Sequence, residues 1–309
     1  DLRIAFEAFD VGVQHRLRIG VDDRADVGGG VGRIAHDLGG ERALQPLDQG
    51  VGGAVLAGYA AAIASGAKVI VKIDGDGQMD PALLPAFIAP VLAGEADYSK
   101  GNRFYDLARI GEMPALRLVG NAALSFMAKI STGYWDLFDP TNGYTAIHAD
   151  VAKLLPADKI SRRYFFETDM LFRLNTFRAV VVDVPMDARY GDEVSNLKIS
   201  RIFGEFLFKH TRNFGKRLFY NYFLRDMSIA SLELVFGVAL FLFGASFGGW
   251  HWWQSASSGV ATPAGTVMLA AVPVNLGLQY NLAFLGYDIS SVPRRPLWTS
   301  RAGARPRRS

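Results

Sequence analysis

The sequence predicts an α/β domain followed by two membrane-crossing helices, on three observations. A short apolar run, 69–73, ends in two carboxylates, Asp74 and Asp76, set in a glycine-rich turn. Further strand-like runs at 97–100 and 180–184 alternate with segments of helical period, the pattern of a sheet covered by helices. Two apolar stretches, 228–248 and 267–287, are each about 20 residues long, the length a helix needs to cross a bilayer.

Bulk composition narrows the function. The 33 basic and 30 acidic residues give a net charge of only +3, which argues against a nucleic-acid partner. The absence of cysteine excludes disulfides, thiol catalysis and thiolate zinc sites. The chain begins at Asp1, with neither a methionine nor a signal segment and with no clear first strand, so a fragment is expected. Residues 1–48 sustain neither a 3.6 nor a 2.0 period. Only 17–21, ending in Asp22 and Asp23, hints at a strand. The Gly28-Gly29-Gly30-Val31-Gly32 cluster is not a dinucleotide fingerprint, because Arg33 replaces its last glycine and no apolar strand leads in.

Gly50-Val51-Gly52-Gly53 opens an alanine-rich helix to about residue 65, with Val55, Leu56, Tyr59 and Ile63 as its buried stripe. A Rossmann reading of these glycines fails on the polar, Pro46-containing segment before them. The run 69–73 then delivers Asp74-Gly75-Asp76-Gly77-Gln78 to the carboxyl end of a strand, where open α/β folds bind ligands. Paired hard oxygens suit magnesium or manganese, which share substrate phosphates. A solvated acidic turn is the alternative. A calcium loop fits worse, since it needs a glycine where Met79 stands and a glutamate where Pro85 stands.

A helix over 81–92 follows, with proline in its first turn. Gly101-Asn102-Arg103-Phe104 places a cation at a strand end, and a helix over 113–130 carries Arg117 and Asn121 one turn apart. A surface helix cation is the alternative reading of Arg117. Asp139-Pro140-Thr141-Asn142-Gly143-Tyr144 is a turn before a short strand. Glu167 and Asp169 lie at the start of a helix, where the dipole alone favours carboxylates. Arg189 and Lys198 put two cations on one loop after the 180–184 strand.

Beyond residue 198, Ile199, Ile202, Phe203, Phe206 and Leu207 form a helical stripe opposite Lys198, Arg201, Glu205 and Lys209. A second segment repeats the theme, with Phe214, Leu218, Phe219, Tyr222 and Phe223 beside Arg212, Lys216, Arg217 and Arg225. Basic amphipathic helices of this kind lie in the headgroup plane, with an ordinary core-facing helix as the alternative. The linker 251–266 between the two spans has no Lys or Arg, whereas basic residues crowd both outer flanks, including Arg294, Arg295, Arg301, Arg305, Arg307 and Arg308. Positive-inside logic puts the α/β domain and the tail in the cytoplasm, with Trp250, Trp252 and Trp253 at the far interface. Glu233 and Asn281, at similar depth in the two spans, are expected partners within the chain or across an oligomer.

Taken in order, these motifs resemble the membrane-bound family 2 glycosyltransferases of the dolichyl-phosphate mannose synthase and polyprenyl-phosphate glycosyltransferase type, from about residue 48 to the second apolar helix. The resemblance implies a GT-A (Rossmann-like nucleotide-sugar) fold with an incomplete amino end, followed by amphipathic interface helices and two transmembrane helices. It also implies inverting transfer from a nucleotide-sugar to a polyprenyl phosphate, either dolichyl or undecaprenyl. Asp74 and Asp76 would hold Mg2+ or Mn2+ and, with Gln78, the donor diphosphate. Arg103, Arg117 and Asn121 match the acceptor-phosphate positions, Arg189 and Lys198 the mobile cationic loop, and Asp169 an acidic helix position with Glu167 near it. Together Asp74, Asp76, Asp169 and Glu167 make the expected catalytic set.

The departure from the family lies at the amino end. Asp22 and Asp23 stand about where an Asp-Asp-Gly-Ser-Thr-Asp donor motif belongs, but Arg24-Ala25-Asp26 replaces its centre. A non-catalytic GT-A-like membrane protein that has lost donor binding is the alternative. The expected divisions are 1–197 for the GT-A domain, 198–226 for the interface helices, 227–290 for the membrane pair and 291–309 for a basic tail. The expected location is a bacterial inner membrane or the endoplasmic reticulum, with a homo-oligomer through the membrane helices as a further expectation.

Overall fold

The computed structural model describes residues 4–9, 50–74, 79–105, 115–187 and 199–299, and their side chains except at 4–9, 115–117 and 199–203. The chain divides into two compact units: Asp1–Gly215 with Val292–Ser309, and Lys216–Ser291.

The first unit is α/β, as expected. Its strands are β1 (Ile4–Phe9), β2 (Val69–Asp74), β3 (Tyr98–Asn102), β4 (Thr145–His148) and β5 (Val181–Pro185). They form one mixed sheet in the order β1-β2-β4-β3-β5. β1 pairs with β2 and β3 with β5 in parallel, while β4 runs antiparallel between β2 and β3. The helices are α1 (Gly50–Ala64), α2 (Leu84–Leu92, entered through a 3-10 turn at Pro81–Leu83), α3 (Ala115–Thr132), the short α4 (Ala149–Ala152), α5 (Phe166–Thr176) and α6 (Ile199–Phe219).

β2 is buried along nearly its whole length, as a central strand of alternating faces requires. Ile70, with Ile147 and Tyr98, packs toward α1 and α5. Val69, Val71 and Ile73 pack on the other face with Phe87 of α2 and Tyr144, whose rings stack at 3.8 Å. The period of two therefore puts Lys72 and Asp74 on the Ile70 face, beneath α5. The glycines that open α1 serve close packing. A β-carbon at Gly52 would lie 2.5 Å from the Ser161 carbonyl oxygen and 2.6 Å from the Phe166 ring, and the Gly52 N–H donates to the Arg162 carbonyl at 2.9 Å.

Two expectations change here. No first strand is legible in the sequence, yet Ile4–Phe9 pairs with all of β2, from Ile4 opposite Val69 to Phe9 opposite Asp74. Six residues are too few to declare a period, and the pairing comes from the partner strand. The expected strand at 17–21 lies outside the described residues. The two amphipathic segments are in fact one helix, α6, that continues as a π turn over Tyr220–Arg225. Nothing between the two stripes can break a helix, since proline is absent there. The side of α6 buried in the first unit is polar, carrying His210 and Asn213, whereas Leu207 and Phe208 are exposed.

The segment after the membrane pair rejoins the first unit instead of trailing as a tail. The Leu297 N–H donates to both carboxylate oxygens of buried Asp97 at 2.8 and 2.9 Å, and the Trp298 N–H to one of them at 3.2 Å. The Trp298 ring stacks on His148 at 4.4 Å and is nearly parallel to it.

In the second unit, α7 (Ile229–Ser258) and α8 (Ala264–Ser290) are long and apolar enough to cross a membrane. The helical part of α7 runs through the Trp250–Trp253 region, so the connection is much shorter than the 251–266 linker expected from charge. Arg217, expected among the headgroup-facing cations, is instead buried. Its guanidinium forms a two-pronged pair with Asp288 at 2.6 and 3.0 Å, and the Tyr222 hydroxyl donates to the same carboxylate at 2.5 Å. A carboxylate near the end of an apolar helix demands such a partner. The expected Glu233–Asn281 pair does not form within the chain. Asn281 donates to the Gly277 carbonyl of its own helix at 2.8 Å and lies against Gly237, one turn beyond Glu233. The glycine admits the amide where a side chain would exclude it.

Candidate functional site

The site is set by strand register. Lys72 faces Thr145 across the β2–β4 ladder, and Lys100 faces Thr145 across β3–β4. The carboxyl ends of β2 and β3 and the approach to β4 therefore share one sheet edge, which brings together Asp74, Arg103 and Gly143.

At its centre, buried Lys72 places its Nζ 3.0 Å from Asp74 Oδ1 and 3.1 Å from Glu167 Oε1. Burial alone would disfavour the ammonium, but the adjacent Glu167 and Asp74 more than offset it, and the lysine is held above its ordinary range. The other Asp74 oxygen lies against the bare α-carbon of Gly143, where a β-carbon would overlap Oδ2 and stand 2.8 Å from Lys72 Nζ. Asp74 is thus gripped on one side by a cation and on the other by backbone. Burial also pushes the Tyr98 hydroxyl, on the next strand, up to about 12.

Beside it, the 139–144 turn is internally braced. Asp139 adopts a left-handed backbone, with φ 43°. Its carboxylate accepts from Arg103 Nε and Nη2, both at 2.7 Å, and from Asn142 Nδ2 at 3.1 Å. Asn142 Oδ1 accepts the Tyr144 N–H at 2.9 Å, which fixes Gly143 between them. Burial opposes ionisation of Asp139, yet the Arg103 guanidinium holds its carboxyl below the usual carboxylate range. Behind this turn, Lys100 and Asn102 share the carboxylate of Asp183.

The expected site residues fall into four groups. Asp74, Glu167 and Arg103 come together at the sheet edge. Asp169 is buried two residues beyond Glu167, with Oδ2 accepting the Ser161 N–H at 2.9 Å and Oδ1 accepting from Asn213 of α6 at 3.0 Å. Asn121 is half-buried on α3, one turn from the backbone position of Arg117. Asp22, Asp23, Asp76, Gln78, Arg189, Lys198 and the Arg117 side chain lie outside the described residues. Among the described residues no group of three or more His, Cys, Asp or Glu could hold a metal. Asp74 nevertheless offers an oxygen donor of the kind a hard cation takes, at the carboxyl end of a strand. Lys72 and Asn213 are the polar contributors that sequence reasoning missed, whereas Asp139 and Asn142 were legible only as part of a turn. Lys72 had a signal, because it sits two residues before Asp74 on the same strand face.

No family model matches the chain. The undecaprenyl-phosphate mannosyltransferase of Micrococcus luteus is 32% identical over 168 residues, 54% of this chain and 66% of that protein. The UDP-N-acetylglucosamine–dolichyl-phosphate N-acetylglucosaminyltransferase of Methanococcus voltae is 29% identical over 143 residues, 46% of this chain and 57% of that protein. The chain therefore spans roughly three-fifths of the length of the curated relatives it matches. Glucosyl-3-phosphoglycerate synthase from Mycobacterium tuberculosis, solved with Mn2+ and UDP, aligns over 56% of each chain with 19% identity and a TM-score of 0.37. By its sequence relatives and by the order of its motifs, the chain is akin to the polyprenyl-phosphate glycosyltransferases.

Proposed function

We propose that the chain transfers a sugar from a nucleotide-sugar to the phosphate of a polyprenyl phosphate, with inversion, at the cytoplasmic face of a membrane. The observation that carries this reading is Asp74, held between Lys72 and Gly143 at a sheet edge of a chain that also has two membrane-length helices. The kinship with lipid-phosphate glycosyltransferases supports it.

In this reading a phosphate oxygen of the acceptor attacks the anomeric carbon as the bond to the donor diphosphate breaks, and the diphosphate leaves with the electron pair. The acceptor phosphate is already largely dianionic at pH 7, its second pKa being about 6, so no strong general base is needed. Asp74 and Asp76 would hold Mg2+ or Mn2+, which supplies positive charge to the leaving diphosphate. Gln78, Asp22 and Asp23 belong to the donor side. Lys72 orients Asp74 and Glu167 through its two ion pairs. Arg103, fixed in angle by Asp139, joins Arg117, Asn121, Arg189 and Lys198 in holding the acceptor phosphate, for which guanidinium forks are suited. The basic flanks of the two spans favour the cytoplasmic side, in a bacterial inner membrane or the endoplasmic reticulum.

The test is nucleoside diphosphate release by the full chain in nanodiscs, with UDP-glucose, UDP-N-acetylglucosamine and GDP-mannose as probes. Release that depends on added polyprenyl phosphate supports the reading. Release that is independent of lipid, or absent with every probe, contradicts it.

A further inference from the structure

Both oxygens of Asp169 are engaged by α6 and by the Ser161 backbone. Its carboxylate is buried, and each oxygen already accepts a hydrogen bond: Oδ2 from the Ser161 N–H at 2.9 Å and Oδ1 from Asn213 Nδ2 at 3.0 Å. Asn213 is itself buried, on a face of α6 that also presents His210, whose Nδ1 lies 2.8 Å from Ser131 Oγ of α3. Phe165, at the start of α5, packs edge-on against Phe206 and His210 at 5.4 and 4.9 Å. Hence α6 is joined to α5 and α3 by directional polar bonds and ring edges, which fix its rotation as well as its distance. Half a turn from Asp169, on the same helix, Glu167 reaches Lys72 and through it Asp74.

We infer that Asn213 and Asp169 are positioning residues, a joint through which α6 sets the placement of Glu167, and that Asp169 does not act as a proton acceptor. This rests on the proposed function for the role of Glu167, but the joint itself does not. The chemistry makes the two roles separable. In Asp169→Asn, the new amide oxygen still accepts from Ser161, and its NH2 donates to an Asn213 amide that turns over, so both bonds survive. In Asn213→Asp, two carboxyls face each other in a buried site, and at a pH high enough to ionise both, where the exchange is measured, repulsion replaces the bond. In the reciprocal pair, Asp169→Asn with Asn213→Asp, amide and carboxylate exchange places and the bond returns.

The experiment is amide hydrogen exchange over 166–170, alongside sugar transfer, on these three variants of the full chain in nanodiscs. Asn213→Asp should raise exchange over 166–170 by about tenfold relative to the β2 amides, and the double variant should restore it. Where the wild-type chain transfers sugar, Asp169→Asn should keep its turnover within a few-fold, Asn213→Asp should lose about tenfold, and the double variant should recover. Unchanged exchange in Asn213→Asp, or no recovery in the double variant, overturns the joint. Asp169→Asn losing turnover by orders of magnitude with 166–170 still protected overturns the positioning role and makes Asp169 catalytic. A wild-type chain that transfers no sugar defeats the proposed function alone, and the exchange result still decides the joint.

Discussion

Gly143 sets its α-carbon directly against the carboxylate of Asp74, and the register of β2 with β4 brings the two together. Gly143→Ala should therefore push Asp74 out of place and away from buried Lys72. Displacement of a reacting group by about 1 Å costs on the order of a hundredfold in turnover. Transfer assays paired with thermal melting check this: the rate should collapse, and the melting temperature should also fall, because the buried Lys72 loses a partner.

Arg103 and Asp139 form a pair in which the carboxylate is buried and the guanidinium is partly exposed. Removing the cation leaves buried Asp139 without its ion-pair partner, so Arg103→Ala should lose about 3 kcal/mol of stability, as broken buried pairs do. Chemical denaturation in detergent reads this directly. Asp139→Asn, which can keep one hydrogen bond to Arg103, should cost less.

Much of this site was legible because its parts are local. A strand that ends in Asp74, a glycine-led helix and the Asp139 to Tyr144 turn all announce themselves within ten residues. Lys72 was hidden inside a run that reads as apolar, although its two-residue spacing from Asp74 put both on one face. The Asn213–Asp169 bond, the Arg217–Asp288 pair and the Asp97–Leu297 contact join residues 44, 71 and 200 positions apart. No local period encodes such contacts. Strand β1 failed for a different reason: six residues beside an unreadable stretch acquire their meaning only from the neighbouring strand.

His210 is buried beside Phe165, and burial lowers its pKa to about 4. Because the folded value lies below the unfolded one, near 6.5, the unfolded chain binds the proton first as pH falls. The neutral ring's contribution is intact above pH 6.5 and is lost progressively down to about pH 4, by at most about 3 kcal/mol. Stability measured from pH 7.5 to 4.5 should fall more steeply in the wild-type chain than in His210→Phe. Parallel curves would mean that the imidazole is not buried neutral.

Trp298 seals the return of the chain onto the first unit by stacking on His148, while its indole N–H donates to the Ala96 carbonyl at 3.3 Å. Trp298→Ala should cost about 3 kcal/mol, the lower end for a packed tryptophan. Removing 292–309 should cost more, because Asp97 then loses the Leu297 and Trp298 N–H donors. Thermal melting of both variants tests whether this segment belongs to the α/β unit.

The most direct test of the central claim is mass spectrometry of the lipid extract after the full chain in nanodiscs is incubated with polyprenyl phosphate, Mg2+ or Mn2+, and the nucleotide-sugar probes. The expected product is a polyprenyl phosphate heavier by one sugar residue. That product should disappear in chelator and fall by orders of magnitude in Asp74→Asn and Asp76→Asn. A sugar-lipid formed equally well in chelator, or undiminished in both variants, would contradict it.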